Sequence, residues 1–431
     1  MSEDFQERLK SVLSRIIYHF GTPFIIMDEV GIQDTYRRID KCLKDIPHRM
    51  YFAVKATPIP KILQMYSKMG AGFDCSSVPE LEMVRQFTDI DGEGTMFTSN
   101  NTTTTELTKA LRWGTFSNNG DDGAIINLDD VSLLDKIPES IFPETICFRY
   151  NPGQRREGNE IIGKPEEAKY GVPHREIVEA YRRAQQLGVK SFGLHTMICS
   201  NSPNGGYLVD TVQMLVDVGR LLYDELGIKL EFINMGGGLG IPYHPRDGVV
   251  DIDKMFVEIV AIMKNFGKYT GVLPKLLMEF GRYMTGPHGV LVMKVINRME
   301  KYRTVIGVDA SMPCNPRPAI YDAYHHITVH GKQQNMLTET KIVDVGGSLC
   351  EGCDKFAVQR NLPVLDIGDV LLQHDVGAHS IAMGSDYNFR FQCKVLALSP
   401  DNKVVCIRPE KTYENHMSVY QNDDYGMTIK L

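Results

Sequence analysis

The chain has 431 residues, 43% of them apolar, which is more than one ordinary core needs, so two packed domains are expected. Its net charge of -7 comes with Lys and Arg scattered rather than gathered on a face, which excludes nucleic acid and anionic membrane surfaces as expected partners and points to small-molecule work. Nine cysteines, an odd number over a long chain, predict reduced thiols, and the mixed-charge opening MSEDFQERLKSVLSRIIYHF, with no 18-residue apolar run after it, predicts a cytoplasmic protein without a membrane span.

Eight short apolar or β-branched runs follow one another from Arg49 to Gly281: RMYFAVKA, GAGFDCSS, GTMFTSN, GAIINL, TICFRYN, SFGLHTM, LEFINMG and KLLMEFG. Helical segments separate them. Ile177, Tyr181, Ala184 and Leu187 recur at helical spacing and stop at Gly188, and Met214, Val218, Leu221 and Leu222 do the same before Gly227. The NTTTT run at Asn101 to Thr105 reads as a polar loop or a helix cap. Strand and helix alternating over roughly 250 residues predicts a (β/α)8 TIM barrel over 26–281, with the site at the C-terminal ends of its strands. An open doubly wound sheet is the alternative, but its glycine fingerprint is missing. After Gly281 come GVLVMKVINR, TVIGVDA, KIVDVG, DVLLQHDVG, CKVLALS and KVVCIRP, which predict an all-β C-terminal domain over 282–431, to which 1–25 is assigned.

The C-terminal ends of the predicted strands present Lys55, Asp74, Arg149, His195, the run Gly236, Gly237 and Gly238, and Glu279. Taken singly, such a lysine is ordinarily a snorkelling surface residue and such a histidine a core residue. Their convergence on one rim is the signal. The glycine run can form an anion nest but does not fit G-x-G-x-x-G, since Ile241 stands at the sixth position. Cys350 and Cys353 in CEGC lack a second pair, and His326 and His330 in HHITVH sit too far apart along a strand, so no metal is expected. Pyridoxal phosphate suits this set: a lysine for the Schiff base, a carboxylate for the pyridine nitrogen, a ring to stack and a nest for the phosphate. Partial burial and neighbouring cations are expected to lower the pKa of Lys55.

With these residues the chain resembles the barrel-fold, alanine racemase-like pyridoxal phosphate decarboxylases, and within them the diaminopimelate decarboxylases. YFAVKATP is similar to the family's Y-A-V-K-A-N-P, FDCSSVPEL to its Asp-x-x-Ser-x-x-Glu element, AKYGV to its K-F-G turn and MGGGLGIPY to its phosphate loop. MEFGR resembles E-P-G-R, PRPAIYDAYH resembles R-P-x-x-Y-x-x-x-H, LCEGCD resembles C-E-S-G-D and SDYN resembles S-x-Y-N. The resemblance implies that Lys55 carries the cofactor, His195 stacks on it and Glu279 pairs with its nitrogen. Asp74 and Arg149 would support them, and Ser200, Gly281 and Arg282 would complete the cofactor site. It further implies a homodimer in which the β domain of one copy completes the site of the other, with Cys350 as proton donor and Glu351 acting across the interface.

The implied reaction is decarboxylation of meso-2,6-diaminopimelate to L-lysine and CO2. Arg317, with Arg282 and Tyr321, suits a distal carboxylate, and Glu351 suits a distal ammonium. Two departures bear on this. HTMICSN stands where the family has H-x-G-S, placing Met197 and Ile198 at small-residue positions, with Ser200 expected to substitute. GAH stands for G-A-Y and puts His379 at a cofactor-contacting tyrosine. The alternatives are decarboxylation of ornithine, lysine, arginine or carboxynorspermidine, a racemase-like isomerase and a non-catalytic regulatory homologue. Glu279 argues against the isomerase, which pairs arginine with the pyridine nitrogen; Lys55 and Glu279 together argue against the regulator.

Overall fold

The computed structural model describes residues 1–90, 92–113, 123–159, 161–332 and 338–421. Residues 333–337 and 422–431, part of the expected β domain, lie outside the described residues. The first strand is β1 (Phe24–Asp28). Then come β2 (His48–Ala53), β3 (Gly72–Cys75), β4 (Thr95–Phe97), β5 (Ile125–Leu128), β6 (Thr145–Asn151), β7 (Val172–Pro173), β8 (Ser191–His195), β9 (Phe232–Asn234) and β10 (Lys275–Met278).

Around the barrel the order is β2-β3-β4-β5-β6-β8-β9-β10, every neighbour is parallel, and β10 returns to β2 through Leu276 opposite His48. The eight strands correspond to the eight apolar runs. Parallel strands covered on both faces need no polar alternation, which is why β6 is buried from Ile146 to Tyr150. Inside, Tyr51, Met96, Cys147 and Phe232 come from alternate strands and pack with Leu277, a layer that fills the barrel rather than leaving a pore. Phe232 takes the space next to Gly193, where a Cβ would lie 2.0 Å from the ring.

The helix Ile177–Gln186 buries Ile177, Ala180, Tyr181 and Ala184, but Leu187 falls after its last turn and is 46% exposed. In the helix Gly205–Leu226 the buried face runs through Leu208, Val212, Leu215, Val216, Gly219 and Leu222, so Met214 and Leu221 lie at its edge. Gly219 sets that rotation. A Cβ there would meet Phe266 of the helix Ile252–Thr270 at 2.8 Å. Thr103 caps Thr104–Leu111 in a reciprocal box with Glu106, so the polar run is a cap.

The chain divides into two compact units, 31–287 and the pair 1–30 with 288–431. These limits differ from 26 and 281. A cut at 26 would split β1, which pairs Ile25 with Leu291 and with Val395, and Arg282 stays with the barrel unit. The second unit holds β11 (Gly289–Glu300), β12 (Thr304–Val308), β13 (Ile327–Val329), β14 (Thr340–Gly346), β15 (Lys355–Pro363), β16 (Val370–Gln373), β17 (Lys394–Leu398) and β18 (Val404–Arg408). Its sheet runs β15-β14-β12-β11-β1-β17-β18, with β16 between β11 and β13. The helix Glu3–Phe20 lays Phe5, Leu9, Leu13 and Ile16 on Phe24, Ile26, Val290, Val292 and Leu396. Among the described residues no helix is long and apolar enough to cross a membrane.

Candidate active site

Strand β2 ends at Ala53, and Lys55, inside the run predicted as strand, sits instead on the single 3-10 turn Val54–Ala56 that follows. Thr57 closes this turn by donating its N-H to Val54 O, ahead of Pro58. Lys55 Nζ then lies 3.5 Å from Asp74 Oδ2 on β3 and 3.4 Å from Ser76 Oγ. The lysine side chain as a whole is half exposed, while Asp74 is fully buried. Ser76 is itself held, since its N-H donates to Glu80 Oε2 at 2.7 Å.

Opposite this cluster, Glu279 follows β10 and is only 4% exposed. Its carboxylate accepts from Asn234 Nδ2 at 2.7 Å and stands 3.3 Å from His195 Nε2, the ends of β9 and β8. Next to it, Gly281 packs on the lysine turn so closely that a Cβ would lie 2.6 Å from Ala56 Cβ. Glycine here lets the ends of β10 and β2 approach. Arg149, buried near the end of β6, donates to Met197 O at 2.9 Å and lies 3.8 Å over the ring of Tyr170.

Lys55, Asp74 and Glu279 act on one another through their charges. Burial alone would raise Glu279, but His195, Lys55 and the Asn234 amide outweigh it and hold the acid down at about 2. Burial and the nearby Glu279 push Asp74 up, with Lys55 pulling the other way. For Lys55 burial works downward, yet Asp74, Glu279 and Glu80 prevail over it and over Arg149, so its pKa is raised. The expected lowering of this lysine is therefore corrected. Carboxylates, not cations, dominate its surroundings, and the amine carries a proton at neutral pH.

The glycine run follows β9. Gly236 has φ 68°, and a Cβ on it would lie 2.1 Å from Thr196 O, so only glycine fits this turn. Gly237 N-H points at Met197 Sδ, 3.2 Å away, where the family's smaller residue would leave room. Ser200 receives Arg282 Nη2 at 3.4 Å, and Asn159 grips the Ser200 backbone from both sides. Arg282 Nη1 donates to Tyr243 Oη at 2.6 Å, leaving its buried Nε without a hydrogen-bond partner.

The rim thus brings together Lys55, Asp74, Arg149, His195, Ser200, Gly236, Gly237, Gly238, Glu279, Gly281 and Arg282 within the barrel unit. Arg317, Tyr321, Cys350, Glu351 and His379 belong to the β unit. There Arg317 is 3% exposed and donates to His325 Nε2 at 2.8 Å, while His325 Nδ1 donates to His374 O. Cys350 is an exposed thiol, its N-H on Asn388 Oδ1, and Glu351 is the acceptor for the Tyr387 hydroxyl. His379 has φ 58°. Reading the motifs passed over Asn234, Tyr243, Ser76 and Glu80 as site residues. Asn234 carried the same signal as His195, a polar residue ending a buried strand.

These residues fit pyridoxal phosphate. A single amine faces a buried acid across one mouth, a glycine turn stands beside both, and His195 Nδ1 is buried with no partner, as a ring lying against a ligand would be. Among the described residues, no group of three or more metal-ligating side chains is found.

Residues 30–286 match the family described as pyridoxal-dependent decarboxylase, pyridoxal binding domain. The chain is 40% identical over 421 residues to Protein TabA of Pseudomonas amygdali pv. tabaci, covering 98% of this chain and 96% of that protein. It is 34% identical over 403 residues to diaminopimelate decarboxylase of Methanothermobacter thermautotrophicus, covering 92% and 91%. The crystal structure of diaminopimelate decarboxylase from M. jannaschii in complex with L-lysine is similar with a TM-score of 0.84 and 28% identity, covering 94% of this chain and 93% of that one. Matched across more than half its length and over the whole barrel, the chain belongs to the pyridoxal-dependent decarboxylases and is a carboxy-lyase that works with pyridoxal phosphate.

Proposed function

We propose that this carboxy-lyase acts on meso-2,6-diaminopimelate, releasing CO2 and L-lysine, and that it does so as a homodimer. The observation that carries the chemistry is the shared mouth in which Lys55 faces Asp74 and Glu279, with Glu279 held ionised. When bound, pyridoxal phosphate supplies an aldehyde for an amine and a ring that accepts the electron pair left by departing CO2. Lys55 is the amine that holds it, Glu279 the acid for its ring nitrogen and His195 the ring against its face. Gly236 to Gly238, Ser200 and Arg282 form the phosphate cradle.

Asp74 orients the Lys55 amine, Arg149 braces the Met197 backbone beside the glycine turn, and the buried walls exclude water from the acid. Cys350 supplies the proton to the product carbon. For the distal end of the substrate, Arg317 offers a guanidinium already fixed by His325, which suits a carboxylate, and Glu351 suits an ammonium. The named substrate of the relative at 34% identity supports this choice. Met197, Ile198 and His379, together with the higher identity to Protein TabA, favour a second reading: decarboxylation of another amino acid. The dimer is supported by exposed Ile342, Val358, Tyr387 and Phe389 on the β unit, which also bears the exposed Cys350.

The deciding experiment measures CO2 release from meso-diaminopimelate, ornithine, lysine, arginine and carboxynorspermidine side by side. Release from meso-diaminopimelate alone is expected, with Arg317→Met raising its KM about 10- to 100-fold. Release only from substrates lacking a distal carboxylate refutes the assignment. Mixing inactive Lys55→Ala and Cys350→Ala proteins should restore up to about a quarter of wild-type activity if sites are shared between copies, and none if each chain works alone.

A further inference from the structure

We infer that Asn234 is a positioning residue, its side-chain amide aiming the Glu279 carboxylate and tying it to the glycine turn, so that the acid and the phosphate cradle move as one body. This rests on the reading of Glu279 as the partner of the cofactor's ring nitrogen.

Three hydrogen bonds close a ring. Asn234 Oδ1 accepts from Gly236 N-H at 2.9 Å, Gly236 O accepts from Glu279 N-H at 2.8 Å, and Asn234 Nδ2 donates to Glu279 Oε1 at 2.7 Å. The amide has only one workable orientation. A backbone N-H can only donate, so the atom facing Gly236 must be the oxygen, which leaves the NH2 facing the carboxylate. The spare hydrogen of that NH2 meets Met96 Sδ at 3.2 Å, and the side chain is fully buried, so no water competes. Of the side chains around Glu279, His195 is farther at 3.3 Å; Asn234 makes the shortest bond. Its first half is a local turn in which the side chain mimics backbone, bonding two residues on. The second half is what local turn formation does not require. An asparagine that only shaped the glycine turn would have no need of a carboxylate 45 residues away.

An aspartate at this position tests the two roles separately. It keeps the acceptor for Gly236 but faces Glu279 with a second oxygen. In that buried, like-charged setting its pKa rises, and it can donate only while protonated. Apoprotein of the wild type, Asn234→Asp, Asn234→Leu and Glu279→Gln would be titrated with pyridoxal phosphate. The visible absorption band and its pH dependence are followed, and thermal melting confirms that each variant is folded.

Asn234→Leu is expected to bind the cofactor about 10- to 100-fold more weakly and to move the band's pH midpoint in the same direction as Glu279→Gln. Adding Asn234→Leu to Glu279→Gln should cost less than Asn234→Leu costs alone, since part of its effect passes through the bond to Glu279. Asn234→Asp should approach the wild type at low pH and weaken as pH rises, a trend the wild type lacks. If Asn234→Asp and Asn234→Leu lose affinity equally with no pH trend, or Asn234→Asp equals the wild type throughout, the positioning role is overturned while the reading of Glu279 stands. If Glu279→Gln itself changes neither affinity nor band, that reading fails and the positioning role with it.

Discussion

At the N-terminal ends of the barrel strands, Lys275 pairs with Glu93 at 2.9 Å and Lys190 with Glu144 at 2.5 Å, and the four side chains are 33%, 67%, 72% and 71% exposed. At the C-terminal ends of the strands, Lys55 pairs with Asp74 and His195 with Glu279, but Asp74 and His195 are 0% exposed and Glu279 4%. Both ends use the same kinds of residue. What separates them is desolvation. An exposed ion pair is worth about 0–1 kcal/mol because water and salt screen it, so the lower pairs can change without consequence. A buried acid has no such freedom and must be matched by donors and positive charge, which is what Asn234, His195 and the charge of Lys55 supply for Glu279.

The contrast can be broken most forcefully at the amine. Lys55→Ala should lower kcat by about 1000-fold or more and abolish the borohydride-reducible yellow band; activity within tenfold of wild type would place the chemistry elsewhere. Glu279→Gln should follow, with about a 100-fold loss in kcat/KM. It also carries a pH signature. Glu279 is held at about 2 against an ordinary 4.5, so it contributes stability that is present above pH 4.5 and lost as pH falls toward 2. The urea midpoint of Glu279→Gln should fall less steeply than wild type across that window.

Asp74→Asn has a smaller and directional effect. Removing the carboxylate that most raises Lys55 lowers the amine's pKa, so the pH midpoint for cofactor capture by the apoprotein should move down. An unmoved midpoint would show that Asp74 does not control the amine. Lys275→Met at the other end of the barrel should leave kcat unchanged and alter unfolding free energy by no more than about 1 kcal/mol. A larger change would remove the distinction between the two ends.

Much of this is legible in the sequence alone. Eight buried runs without alternation gave the barrel, because parallel strands covered on both faces write themselves as continuous apolar stretches. Lys55, Asp74, His195 and Glu279 stood out as polar residues ending such runs. The sheet that holds β1 was not legible: its partners Val290, Leu291 and Leu396 lie more than 260 residues away, and nothing local marks that pairing. Nor was the sign of the shift at Lys55, which depends on how many carboxylates reach it. Asn234 was hidden for another reason. Its partner Glu279 directly follows the next strand of the barrel, and the bond between them exists only once β9 and β10 are in register.

Composition and local pattern therefore determined which residues lie at strand ends and which chemistry they could support, because side-chain type and the two-residue or 3.6-residue period act over short distances. Closure of the barrel decided the rest. It set which amine meets which acid, how close Gly281 lets them come, and whether each group is charged. Those are properties of distance and desolvation, and a chain has neither until its remote parts are packed together.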